Sequence, residues 1–112
     1  MSMDLEVWST RDFNFPAELP RSTSWKRYDD EFAFEENEWQ VLVLSEQSDP
    51  DPSVIHKLPG ARFVAAISLE PIGAGPDGYA FLEEVVRSVA RAVGGVWVDP
   101  NGSAYFHNEG SF

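Results

Sequence analysis

The chain has 112 residues, 43% hydrophobic and 13% aromatic, with 19 acids against 8 bases and a formal charge of −11. One domain spanning 1–112 is expected, because this length buries enough surface for a core without staples, and the apolar content excludes generic disorder. So acidic a balance argues against nucleic acid and anionic membrane as direct partners, and the lack of cysteine excludes disulfides, thiolate catalysis and Cys-ligated zinc.

Met1 to Glu6 holds no basic stretch followed by an apolar run, so no secretory leader is expected. No apolar run nears the roughly 20 residues of a spanning helix. With no cysteine to oxidise, a soluble cytoplasmic protein is the expectation.

Leu5 to Ser9 alternates apolar and polar, which predicts a first strand. Residues 11–24 hold Pro16 and Pro20 among Phe13, Phe15 and Leu19, an ordered loop pinned to the core by its aromatics. Ser22 to Tyr28 reads as polar and loop-like, which makes Trp25 and Tyr28 candidate exposed anchors. Phe32 and Phe34 alternate with Ala33 and Glu35, Glu36-Asn37-Glu38 turns, and Trp39 to Leu44 returns as the second arm of a hairpin. Trp39, Val41 and Val43 face one side of that arm and Leu42 and Leu44 the other, so burial on both faces is predicted.

Asp51 as N-cap and Pro52 at the first helical position start a short helix ending at Leu58, before Pro59-Gly60. Arg62 to Glu70 carries a near-continuous apolar run, as expected of a central strand. Pro71 to Gly78 is a loop. Asp77 to Val93 is the one long helix, with Leu82, Val85, Val86, Val89 and Val93 as its apolar stripe and Glu83, Glu84, Arg87 and Arg91 toward water. Gly94-Gly95 stops it, and Val96 to Phe106 closes the chain as a strand or hairpin. A strand–helix–strand crossover with parallel strands is expected there. The predicted class is α+β: a mixed, mostly antiparallel sheet with one long and one short helix packed on one face.

Chemistry-bearing motifs are few. His56 and His107 stand far apart with no ligand-like spacing, and each reads as a surface or partly packed imidazole. Gly73 to Gly78 lacks the lysine of a phosphate loop and contains Pro76, so it reads as a connection. Asp49-Pro50-Asp51-Pro52 lacks the glycine of a calcium loop. A small hydrolase or isomerase would need converging carboxylates of raised pKa. No catalytic residue, metal or cofactor is therefore assigned.

The strongest signal is electrostatic. Between Tyr28 and Asp51 lie Asp29, Asp30, Glu31, Glu35, Glu36, Glu38, Glu46, Asp49 and Asp51, with no lysine or arginine. Solvent-facing strands are commonly charged, and edges carry charge against aggregation, but mixed signs would do that with less self-repulsion. One-signed charge on a folded surface attracts a basic partner and raises the encounter rate. Trp25, Tyr28 and these acids, Glu46 aside, are the candidate contact residues.

Leu58-Pro59-Gly60-Ala61-Arg62-Phe63, Ile67 to Pro71, Gly78 to Leu82 and Val93 to Pro100 resemble segments of small immunity proteins of bacterial polymorphic-toxin systems. The likeness covers about residues 58–100. It implies a stoichiometric, non-enzymatic inhibitor that covers the basic active-site cleft of a cognate protein toxin. A non-inhibitory adaptor or chaperone for a secreted effector is the alternative.

Overall fold

The computed structural model describes residues 3–71 and 73–112. Met1 and Ser2, part of the start read for a leader, and Ile72, inside the loop expected at 71–78, lie outside the described residues. The elements in chain order are β1 (Met3–Ser9), a 3-10 turn (Ser22–Ser24), β2 (Lys26–Tyr28), β3 (Glu31–Glu35), β4 (Gln40–Gln47) and α1 (Pro52–Lys57). β5 (Phe63–Glu70), α2 (Pro76–Val93), β6 (Val96–Val98) and β7 (Ala104–Phe106) follow.

The strands form one sheet in the order β2-β3-β4-β5-β1-β6-β7, and every pairing is antiparallel. The fold is α+β, and β5 sits in the middle as its apolar run predicts. The sheet is not mixed, however. β5 and β6 run in the same direction, but β1 inserts between them and opposes both, so no parallel pair forms.

α2 follows its pattern. Its stripe of Phe81, Leu82, Val85, Val86, Val89 and Val93 is buried against alternate residues of the central strands, among them Leu5, Val7, Val43, Ile67 and Trp97. Asp77 in the first turn and Arg91 in the last suit the helix dipole. Gly94, at φ 63°, adopts the left-handed cap, and its N–H donates to the Ala90 and Arg91 carbonyls. The loop before β2 covers the rest of this face: Leu19 is buried, and Phe13 and Phe15 pack onto the same cluster.

α1 lies on the opposite face, not beside α2 as expected. Its buried Val54 packs with Trp8, Val64, Val96 and Val98, all at the alternate strand positions. Six residues cover only the β1–β6–β7 end of that face.

Three local readings change in the tertiary context. Residues 26–28 form an edge strand paired with β3, closed by a turn in which Asp29 takes φ 54°. Trp25 is a core residue, only 8% exposed. Its indole N–H donates to the Pro20 carbonyl at 2.8 Å, and its ring packs 5.7 Å from Phe34 and 6.1 Å from Phe81. Arg87 does not simply face water. Its guanidinium donates to the carbonyls of His107, Glu109 and Gly110 at 2.8–2.9 Å and lies 5.4 Å from the Trp97 ring centre. It clamps the C-terminal segment onto the sheet.

Two variants test this architecture. A Cβ on Gly95 would run into the Trp8 backbone oxygen and crowd Val93, so Gly95→Ala should lower unfolding stability in urea by about 1–3 kcal/mol, the cost of overpacking against backbone that cannot yield. Arg87→Lys keeps the charge but loses the planar fork, so amide exchange over residues 107–112 should accelerate nearly as much as in Arg87→Ala.

Candidate protein-binding surface

Strand alternation assigns the second face of the sheet residue by residue. Across five strands, Tyr28, Glu31, Leu44, Ala66 and Glu6 stand side by side. The neighbouring row runs Lys26, Ala33, Leu42, Ser68 and Asp4. Beyond it lie Glu35, Gln40 and Glu70, and on the other side Glu46 opposes Val64. α1 covers Val64 and the adjoining half; in the remaining rows no helix lies over the side chains, though Ala33 is buried among its neighbours and Leu42 is half-buried. Leu44 is 40% and Tyr28 50% exposed. β4 is therefore not buried on both faces: its Val41 and Val43 side is in the core, while its leucine side carries no covering element.

The nine acids of the 28–51 stretch do not gather into one cluster. Glu31, Glu35 and Glu46 point onto the bare face. Asp29 and Asp30 occupy the β2–β3 turn, and Glu36 and Glu38 flank the β3–β4 turn at the other end of β3, about 17 Å away at strand spacing. Asp30 leans to the helix side, in a shallow depression with Phe13, Phe15, Arg27 and Phe32. Asp49 and Asp51 lie beyond β4, Asp49 lining a polar hollow with Thr10, Gln47 and Arg62. The charge thus forms a band along and around the bare half of the sheet. Tyr28 stands at one border of it, and Trp25 takes no part.

Acids from elsewhere complete the band. Asp4 and Glu6 come from β1 and Glu70 from β5, which a search for a contiguous acidic run cannot find. The available signal was their alternation with the buried Leu5, Val7 and Leu69. Glu35, Glu36, Glu38 and Glu70 also surround the half-buried Trp39 in a depression of ≈ 550 Å³.

Most of the bases fasten the chain to itself and leave this charge standing. Arg11 ties the N-terminal loop to Glu18 at 2.6 Å and to the Ala92 carbonyl at 3.0 Å. Arg21 lies over Phe34 and Phe81, Arg27 over Phe32, and Lys57 pairs with Glu109 at 2.6 Å. Within the 28–51 stretch, Glu35 alone is ion-paired among the described residues, to Lys26 at 2.8 Å. The bond from Lys26 holds the Glu35 carboxyl below its usual range, and Tyr28 lowers it further. The same bond, with the charge of Glu35, raises the Lys26 ammonium.

Among the described residues, no group of three or more His, Asp or Glu is arranged to hold a metal ion, and no helix is long and apolar enough to cross a membrane. What the arrangement offers is a flat, negatively charged surface with apolar side chains inside it.

The exposed Lys26–Glu35 pair is screened by solvent, so its readout is titration rather than stability. Its Lys26 contribution is complete below the usual lysine pKa and fades as pH rises through the raised value. The Glu35 contribution is complete above the usual glutamate pKa and fades as pH falls through the lowered value. Lys26→Ala should move the Glu35 carboxyl back up toward its ordinary value in a carbon-detected NMR titration. An unmoved midpoint would contradict the pairing. Comparison of the chain with family models, with curated proteins and with solved structures returned no match.

Proposed function

We propose that this protein is an immunity-type inhibitor: it binds a basic protein toxin and neutralises it by covering the toxin's cleft, with no catalysis of its own. The observation that carries this reading is the acid of the 28–51 stretch, of which Glu35 alone is ion-paired among the described residues, displayed by paired strands and their turns while most of the bases serve internal contacts. A cleft evolved to hold phosphates presents lysines and arginines, and carboxylates on a firm scaffold can stand in the phosphates' places. The resemblance over residues 58–100 points the same way. Those residues build β5, α2 and β6, mostly the scaffold behind the charged surface, to which β5 adds Ala66, Ser68 and Glu70.

Cationic clefts and an anionic face attract over a Debye length of about 8 Å at physiological salt, and steering brings association toward about 10⁸–10⁹ M⁻¹s⁻¹ at low salt. Fast capture suits neutralisation, where each free toxin molecule does damage until bound.

Growth rescue tests the proposal. Cells expressing the toxic product of the adjacent gene should grow when this chain is co-expressed, and purified chain should bind that product with an association rate falling about tenfold or more from low to high salt. Charge reversal at Glu35, Glu36 and Glu38 together should weaken binding while thermal unfolding stays nearly unchanged. Binding without rescue would identify an adaptor; neither binding nor rescue would discard the reading.

A further inference from the structure

The leucine side of β4 raises a question that the charge alone does not answer. A strand with one side in the core and the other in water normally alternates apolar with polar residues. β4 instead reads Val41-Leu42-Val43-Leu44, and on the half of the sheet that α1 does not reach Leu44 is exposed and Leu42 half-buried. Ala33 and Ala66 flank them in register. Glu6, Glu31, Glu35, Glu46 and Glu70 stand around these small and apolar residues, with Lys26 beside Ala33.

We infer that this bare half-sheet, centred on Leu42 and Leu44, is a docking face for a basic protein segment that brings an apolar side chain to the leucines and lysines or arginines to the surrounding carboxylates. The inference rests on the binding reading above and deepens it: contact is face-on to the sheet, and of the five acids just named Glu6 and Glu70 lie outside the acidic run in the sequence, while Glu46 lies in that run but not among its candidate contact residues. The layout is that of a protein interface, an apolar centre inside a polar rim.

The occupant is argued from charge complementarity. A nucleic acid or an anionic lipid would meet like charge across the whole rim. A second copy would bring the two acidic rims together, which disfavours self-association in a protein carrying −11. The face spans five strands, about 20 Å at sheet spacing. That suffices for the centre of a standard interface, and the acids of the β2–β3 and β3–β4 turns supply its margin.

A probe of the stated chemistry tests the face without the toxin: a synthetic amphipathic helical peptide of leucines on one side and lysines on the other. In NMR titration it should shift the amides of residues 42–46, 64–68 and 4–6. Leu44→Lys, and Glu31→Lys with Glu46→Lys, should each weaken binding about tenfold or more. Asp12→Lys with Glu84→Lys, an equal charge change away from this face, should alter it less than about threefold. Equal weakening by the remote pair, or shifts confined to other surfaces, would overturn the inference, as would a dimer in solution that Leu44→Lys dissociates. If the peptide binds here but the chain rescues no cells, the inhibitor reading fails and the face stands. If Leu44→Lys loses the peptide yet rescues cells fully, the inhibitor works through another surface and this inference fails.

Discussion

A sheet has two faces, and in a chain of this length the elements that cover them are few. Here seven strands share one long helix, one loop and one six-residue helix. α2 and the loop over residues 11–25 cover most of one side, building the main core around Leu5, Val43, Ile67, Leu82 and Trp97. α1 closes only the β1–β6–β7 end of the other side, over Trp8, Val96, Val98 and the neighbouring Val64 of β5. What remains uncovered is the β2–β3–β4 half and the adjoining rows of β5 and β1. A buried leucine is worth about 1.5–3 kcal/mol relative to an exposed one, so Leu42 and Leu44 leave burial unrealised in the isolated chain that a partner could recover.

Charge opposes the self-association that such a surface would otherwise favour. Leucines on an open sheet invite association with other copies, and a rim of carboxylates opposes it by repulsion between like faces. In the proposed complex the same rim would select what covers the leucines. Pairing or hydrogen bonding pulls the shifted carboxyls, Glu35 and Glu109, downward, with Lys26 and Lys57 as their main partners. Those carboxyls are therefore held charged, each beside its own lysine.

The internal use of cations is the other half of the same design. Arg11, Arg21 and Arg87 each hold a segment that lacks regular hydrogen bonding of its own, through carbonyls, a carboxylate or aromatic faces. Arginine suits this because its planar fork serves several acceptors at once and stacks on rings. Loops and the C-terminal segment are thereby made rigid, and a rigid scaffold is what lets an array of like charges act as one surface rather than as a flexible tail.

The amino-acid order alone determined the α+β class, the β3–β4 hairpin, the central position of β5, the capped span of α2 and the sign of the surface charge. Each follows from periodicity, capping or composition, which act over a few neighbouring residues. It did not decide that Trp25 enters the core, that residues 26–28 pair as an edge strand, or that β1 separates β5 from β6. Nor did it place Glu6 and Glu70 on the same face of the sheet as Glu31. Alternation says which side chains share a face of a strand, but whether that face meets a helix or water depends on where distant elements land. That is why β4 reads as a strand buried on both sides and folds with one of them open.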